Sequence, residues 1–280
     1  MSYRTILVHA GDERRLSRLL GSALVLARQN DAHVTALSVL PPVIIDPALT
    51  PGGVATVIDS HRRAYEQQRT RMQASFNEAI RLAGIIGEWV NADSNHGGVW
   101  SKVVDYGRSA DLIVASQANP DWPFSKLVEA PAEIVLHSGR PVLLIPNSGQ
   151  HAELGKRVLI AWNGRREAAR AAFDALPILK RAEIVRVLWV NPEQEQELGQ
   201  DLPAADLCTA LARHGVTCEA TETTHPKFNA GETLLARVHD TATDLLVMGC
   251  YGHSRFREFI FGGATRHLLN HMNVPVLMAH

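Results

Sequence analysis

Near-continuous apolar runs at 6–8, 34–39, 112–115 and 142–145 predict strands buried on both faces. A strand covered on one side only would alternate apolar with polar residues. Between the runs the period lengthens. In RREAARAAFDALPIL, Ala169, Ala172, Phe173 and Leu176 recur at i, i+3, i+4 and i+7, the spacing of one helix face. Met72, Phe76, Ala79, Ile80 and Ala83 draw a similar stripe along a long charged segment. Asn163 stands ahead of the first stripe as an N-cap. Strands alternating with amphipathic helices predict an α/β fold with a parallel sheet, right-handed crossovers and helices on both faces. Ligands of such doubly wound sheets bind beyond the carboxyl ends of the strands, at the switch point.

The pattern occurs twice. TILVHAG at 5–11 returns as RVLIAWNG at 157–164, ADLIVAS at 110–116 as TDLLVMG at 243–249, and RPVLLIP at 140–146 as VPVLMAH at 274–280. Asp111 and Asp244 are 133 positions apart and Pro141 and Pro275 are 134 apart, but Ile6 and Val158 are 152 apart. The first copy therefore carries about nineteen additional residues before its DLIV strand, and the Pro- and Gly-rich PPVIIDPALTPGG at 41–53 is the candidate for them. The polar NSGQHAELGK at 147–156 reads as a linker. Two tandem doubly wound, Rossmann-like domains are expected, residues 1–147 and 156–280, which suits a length of 280 residues.

Composition narrows the function classes. With 46% hydrophobic and 20% charged residues and a net charge of −1, the chain is expected to be soluble and globular, without a global field for nucleic acid or membrane. An anion site must be local. The apolar run after the first residues is too short for a signal-peptide core, and no segment approaches the roughly 20 apolar residues of a membrane span. A cytosolic protein is expected. Cys208, Cys218 and Cys250 are odd in number and form no CxxC pair, which fits a reducing compartment.

The stretch MGCYGHSRFREFIFGGATRHLL at 248–269 spends four of twenty glycines, at 249, 252, 262 and 263. Gly249 falls at the end of the DLLVM strand, and Gly262-Gly263 opens an apolar-periodic segment that reads as a helix. Bare main chain and a helix start present unpaired N–H groups and a partial positive charge, which suit a phosphate. His253, Arg255, Arg257 and Arg266 add charge-assisted donors. The alternative is that these glycines shape a strand exit and a helix break.

Gly249-x2-Gly252-x9-Gly262 resembles the G-2x-G-9x-G-(S/T) signature of the universal stress protein family, and the flanking TDLLVMG and HMNVPVLMAH are also similar to that family. The resemblance extends over essentially the whole chain as two tandem copies. It implies a mainly five-stranded parallel sheet in each copy and, for the subset with this signature, ATP binding, alone or with magnesium. Position by position, it places Asn163, where the family usually has Asp, near the adenosine ribose and base. Val190 would end the second strand, whose backbone flanks the adenine. Met248 and Gly249 would pass under the adenosine, while Gly252, Gly262, Gly263 and Ala264 surround the phosphates with His253 and Arg255 nearby. Two positions depart from the pattern. Asn163 is neutral, and Gly263 replaces the usual Ser or Thr, giving up a hydroxyl donor while keeping its N–H.

The first copy has lost this cradle. Ser116 stands for the first glycine, Asn119 for the second, and Val128 or Glu129 for the third. A carboxylate there would repel a phosphate, and Pro120, Pro123 and Pro131 remove donors. Asp12 is kept after the first strand. At most one nucleotide per chain is expected, with the N-terminal half a structural partner.

Other motifs admit simpler readings. His267 and His271 have an i, i+4 spacing that can bind zinc, but no Glu completes HExxH, and no metal site is expected. Cys250 in the loop reads either as a redox thiol of lowered pKa or as a small residue in a turn. Trp162 reads as a base-stacking or a core residue. Walker A, GxGxxG and GxSxG patterns are absent from the sequence, and no catalytic residue is identified. The expectation is a cytosolic stress-response protein that binds ATP with slow or no hydrolysis. The alternatives are a nucleotide-free scaffold of the same fold and an ATP-dependent transferase using His253 or Cys250. The halves are expected to pair PVLLIP with VPVLMAH within the chain, and a homodimer of whole chains stays open.

Overall fold

In the computed structural model, which describes residues 2–43, 50–94, 98–119, 121, 125–128, 130–149, 151, 153–190, 203–224, 229–250 and 263–280, each apolar run is a strand. Strands β1 (Thr5–His9), β2 (His33–Leu40), β3 (Gly87–Asp93), β4 (Leu112–Ser116) and β5 (Val142–Ile145) pair in the order 3-2-1-4-5. Strands β6 (Arg157–Trp162), β7 (Ile184–Val190), β8 (Glu219–Thr223), β9 (Leu245–Gly249) and β10 (Val276–Ala279) repeat that order as 8-7-6-9-10. Within each set the pairing is parallel. β5 and β10 pair antiparallel, with Leu143 opposite Leu277, and join the sets into one ten-stranded sheet.

Successive strand residues point to opposite faces, and both faces are covered. Ile6 and Val8 join a core with α1 (Glu13–Asn30), α2 (Pro51–Ala83), α6 (Arg166–Asp174), α7 (Leu176–Leu179) and α8 (Ala204–Ala212), through Leu16, Phe76, Ala171, Ile178 and Leu207. Leu7 joins the other core, with α3 (Gly98–Gly107), α5 (Pro131–Ser138), α9 (Ala230–Asp240) and α10 (Gly263–His271), through Val103, Ile134, Leu234 and Leu268. The short helix α4 (Ser125–Val128) adds Val128 to this second layer. Burial on both faces is why the central strands carry no polar alternation.

Local signals set the helix limits. Asp12 caps α1 by accepting the N–H of Arg14, and Thr50 caps α2 by accepting that of Gly53. Pro51 fits the first turn of α2, where its missing N–H costs nothing. The expected connector at 41–53 is therefore shorter than its composition suggests, because Pro51, Gly52 and Gly53 are helical. The surplus length of the first copy lies in the connection that holds α2, residues 41–86 between β2 and β3 against 191–218 between β7 and β8. Met72 and Phe76 of its stripe are fully buried.

Two expectations at the start of the second copy need correction. Arg165, not Asn163, occupies the N-cap of α6, because Gly164 at φ 70° turns the chain left-handed first. The Asn163 Oδ1 accepts the N–H of Arg165 at 3.2 Å and closes that turn instead. The buried face of α6 is Glu167, Ala168, Ala171 and Ala172, with Ala169 and Phe173 only half-buried. Leu176 belongs to the separate turn α7, which has Pro177 in its first turn. Pro177 has no N–H for the Phe173 carbonyl four residues back, so the α6 hydrogen-bond ladder does not continue through it.

The aspartates that recur in DLIV and DLLV have a shared structural role. The Asp111 Oδ2 accepts the N–H groups of Arg4 and Thr5 at 2.7 and 3.0 Å. Asp244 accepts those of Gly155, Lys156 and Arg157 at 2.8, 3.1 and 2.9 Å. Each also donates its own N–H to the strand it holds, Asp111 to Thr5 and Asp244 to Arg157. The carboxylate thus ties the entry of the first strand to the entry of the fourth.

Two outcomes follow for stability. Asp244→Ala leaves three main-chain donors without their acceptor and is expected to cost about 2 kcal/mol or more in urea unfolding. His9, buried with its Nε2 unpartnered, has its pKa lowered to about 4 by burial. Below its ordinary value near 6.5 the unfolded chain binds a proton that the native state refuses. Stability should therefore fall as pH drops from about 6.5 to 4, by an amount on the order of 3 kcal/mol, and His9→Leu should flatten that slope.

Candidate functional site

The order 8-7-6-9-10 puts the switch point of the second copy between β6 and β9. There the chain leaves β6 toward β7 on one side and returns through β9 on the other. Register aligns the strand ends. Trp162 is level with Trp189, and Ala161 with Met248, so Asn163, Val190 and Gly249 share one edge. Val190 packs against the second core, to which Leu188, Met248 and Cys250 belong. Because β10 runs parallel to β9, the intervening α10 starts at this same carboxyl edge. Gly263 is exposed there, and a Cβ on it would meet nothing within 4 Å. Ala264 is half-buried and packs against Gly231 of α9.

Gly249 is different. A Cβ on it would stand 2.4 Å from the N of Ala168 and 2.4 Å from the carbonyl carbon of Glu167. The first turn of α6 rests on this strand end so closely that only glycine fits. Glycine at 249 thus has a packing cause, whatever approaches its other side.

Sequence reasoning missed Glu167. It sits buried in the first turn of α6, and its Oε1 accepts from the Arg166 Nε at 2.6 Å. Burial opposes its charge. The hydrogen bond from Arg166, the helix backbone and the charges of Arg166 and His280 outweigh that penalty and hold the carboxyl below its usual range. Its negative charge faces Cys250, which is buried and donates its N–H to Ala279. Burial, with Glu167 adding to it, pushes the Cys250 thiol up rather than down. The redox-sensor alternative is overturned, because a protonated, enclosed thiol is a poor nucleophile. Nothing in the residue sequence separates Glu167 from a solvated helix charge.

Of the expected contact set, the structure thus brings Asn163, Val190, Met248, Gly249, Gly263 and Ala264 to one edge. Gly252, His253, Arg255 and Gly262 lie outside the described residues. Trp162 is 4% exposed and belongs to the core, so it offers no face to a base. His267 and His271 stack at 4.4 Å, and His271 Nδ1 bonds the main chain of His267 at 2.9 Å. No group of three metal-ligating side chains occurs among the described residues. In the first copy, Val128 is buried against Gly11, where the repeat predicts a glycine. Among the described residues no helix is long and apolar enough to cross a membrane.

Residues 155–280 match the model of the Universal stress protein family. Over 49 residues the chain is 41% identical to Universal stress protein Slr1230 of Synechocystis sp., a match that spans 18% of this chain and 17% of that protein. The fold is similar to the crystal structure of a universal stress protein from Archaeoglobus fulgidus DSM 4304, with a TM-score of 0.68 at 15% identity over 100% of this chain and 99% of that one. It is also similar to a functionally unknown protein from Pseudomonas aeruginosa PAO1, with a TM-score of 0.60 at 15% identity over 99% and 92% of the two chains. At this identity the structural likeness concerns the fold.

The two described glycines of the edge should respond differently to substitution. Gly249→Ala drives a methyl group into the α6 backbone and is expected to cost about 1–3 kcal/mol. Gly263→Ala meets open space and should leave stability unchanged or slightly higher. Thermal unfolding of both variants without ligand measures the contrast.

Proposed function

We propose that the chain belongs to the universal stress protein family, whose model its residues 155–280 match, and that residues 156–280 form a domain that binds ATP and serves a stress response. The observation that carries this reading is the register that brings Asn163 into step with Val190, and Gly249 into step with Trp162 one residue earlier, at the switch point, with the start of α10 returning to them. In the proposed complex the Asn163 side chain meets the ribose, Val190 flanks the adenine, and Met248 and Gly249 pass beneath the adenosine. The main chain at Gly252, Gly262, Gly263 and Ala264 would hold the phosphates, with His253 and Arg255 donating to them and magnesium as an optional bridge. N–H and guanidinium donors hold charge without moving a proton, so turnover is slow or nil. Residues 1–147 act as the structural partner, joined through β5 and β10.

A nucleotide-free scaffold is the second reading, and the packing of Gly249 against α6 favours it. One comparison separates the two. Gly262→Val and Gly263→Val should each lower ATP affinity by about two orders of magnitude in calorimetry, near 2.7 kcal/mol, with the melting temperature kept. Mass spectrometry of small molecules released from freshly purified protein should show an adenine nucleotide. Equal affinity of parent and variants leaves the scaffold.

A further inference from the structure

We propose that the N-terminal half holds a ligand site of its own, a pocket for a small, uncharged and mostly apolar molecule. A cavity of about 790 Å³ opens at the carboxyl edge of β1 and β2, within the roughly 300–1,000 Å³ of small-molecule sites. Apolar Val43, Val57, Tyr65 and Val128 line it, from the exit of β2, from α2 and from α4. Val57, His61, Ala64 and Gln68 recur along one face of α2 and form the outer wall. That wall belongs to the first copy. The described helix in the equivalent place, α8, is only nine residues long.

The chemistry of the rim decides the class of ligand. The carboxylates of Asp12 and Glu13 and the guanidinium of Arg14 all belong to residues that line the cavity. Their charge is already matched within the protein. Asp12 accepts from Arg14 at 2.9 and 3.1 Å, and Glu13 accepts from Arg71 at 2.9 and 3.1 Å. Desolvating that rim further brings no new ion pair to an anion or a cation. Val128 puts a methyl group 3.3 Å from where a Cβ of Gly11 would be, so an apolar side chain fills the place of a phosphate-binding glycine. His61 lines the cavity, and its Nδ1 is buried without a partner. That atom is enclosed, so it gives a ligand no partner, and apolar walls inside a rim whose charges are already paired select a neutral molecule.

The neutral fluorophore N-phenyl-1-naphthylamine tests this on the full-length chain. Saturable binding of one probe per chain is expected, unaffected by saturating ATP. Ala64 is exposed on the wall, so Ala64→Trp should fill the cavity and weaken the probe about tenfold or more, with an unchanged melting curve. The proposal is overturned if the probe does not bind, or binds equally to Ala64→Trp. It is also overturned if the sulfonated analogue binds tighter than the neutral probe, or if ATP displaces the probe. Gly262→Val should leave probe binding intact, so failure here is separable from failure of the nucleotide reading.

Discussion

Four residues on each side of one antiparallel seam decide the shape of this molecule. β5 and β10 are all-apolar, VLLI and VLMA, and every one of their residues is 1% exposed or less. Left unpaired, either strand would present open main-chain groups beside apolar side chains, the arrangement that recruits other chains. Paired, they satisfy one another about a local two-fold axis. Val142 and Val276 are equivalent in the repeat, and the register sets Val276 on Leu144 and Met278 on Val142 around the Leu143–Leu277 centre. Both cores continue across the seam. Outlying bonds fasten it, from the Tyr3 hydroxyl to the Asp174 carbonyl at 2.6 Å and from Gln117 Nε2 to the Leu269 carbonyl at 2.9 Å. The sheet ends instead on β3 and β8, GEWVNAD and EATET, half-exposed strands rich in charge. Such edges resist extension.

An antiparallel seam between two parallel sets points their carboxyl ends in opposite directions. The two switch points therefore lie at opposite margins of the sheet, and no ligand of ordinary size spans both. Each margin is free to diverge. The first copy has Val128 against Gly11 and a wall built by a long α2, whereas the second keeps glycines at 249 and 263 and a short α8. Pairing the halves through one edge leaves both carboxyl margins of the sheet open to separate change.

Much of the framework is legible in the sequence because burial on both faces leaves a direct mark, and the runs at 6–8, 34–39, 112–115 and 142–145 are all strands. The polar edges β3 and β8 carry no such mark. Their strand state comes from neighbours β2 and β7, with which they pair, and pairing is not written in their own period. The repeated Asp111 and Asp244 are visible as letters, but their role depends on β1 and β6 entering the sheet beside them. The turn at Asn163 is misread for a similar reason. An Asx residue near a helix start is a cap only if the next residue is helical, and Gly164 takes the chain elsewhere. Gly249 shows the limit most clearly. Sequence says that a side chain is unwelcome there, not whether a ligand or the backbone of α6 excludes it.

The devices that hold the sheet and the groups proposed to bind ligands occupy different ends of the strands. Asp111 and Asp244 act at the amino ends, the seam acts at the centre, and the turns after β1, β2, β6 and β9 lie beyond the carboxyl ends. Substitution in those turns removes little of the strand packing, provided that the helix starts stay seated. Gly249 is the exception because it serves both ends of the argument: it seats α6 and borders the switch point. A fold divided in this way lets the carboxyl edge of each copy change without losing the strands beneath it, as Val128 against Gly11 in the first copy and the exposed Gly263 in the second illustrate. On the two readings proposed above, the edges differ in polarity, with main-chain donors for an anion in the second copy and methyl groups for an uncharged molecule in the first.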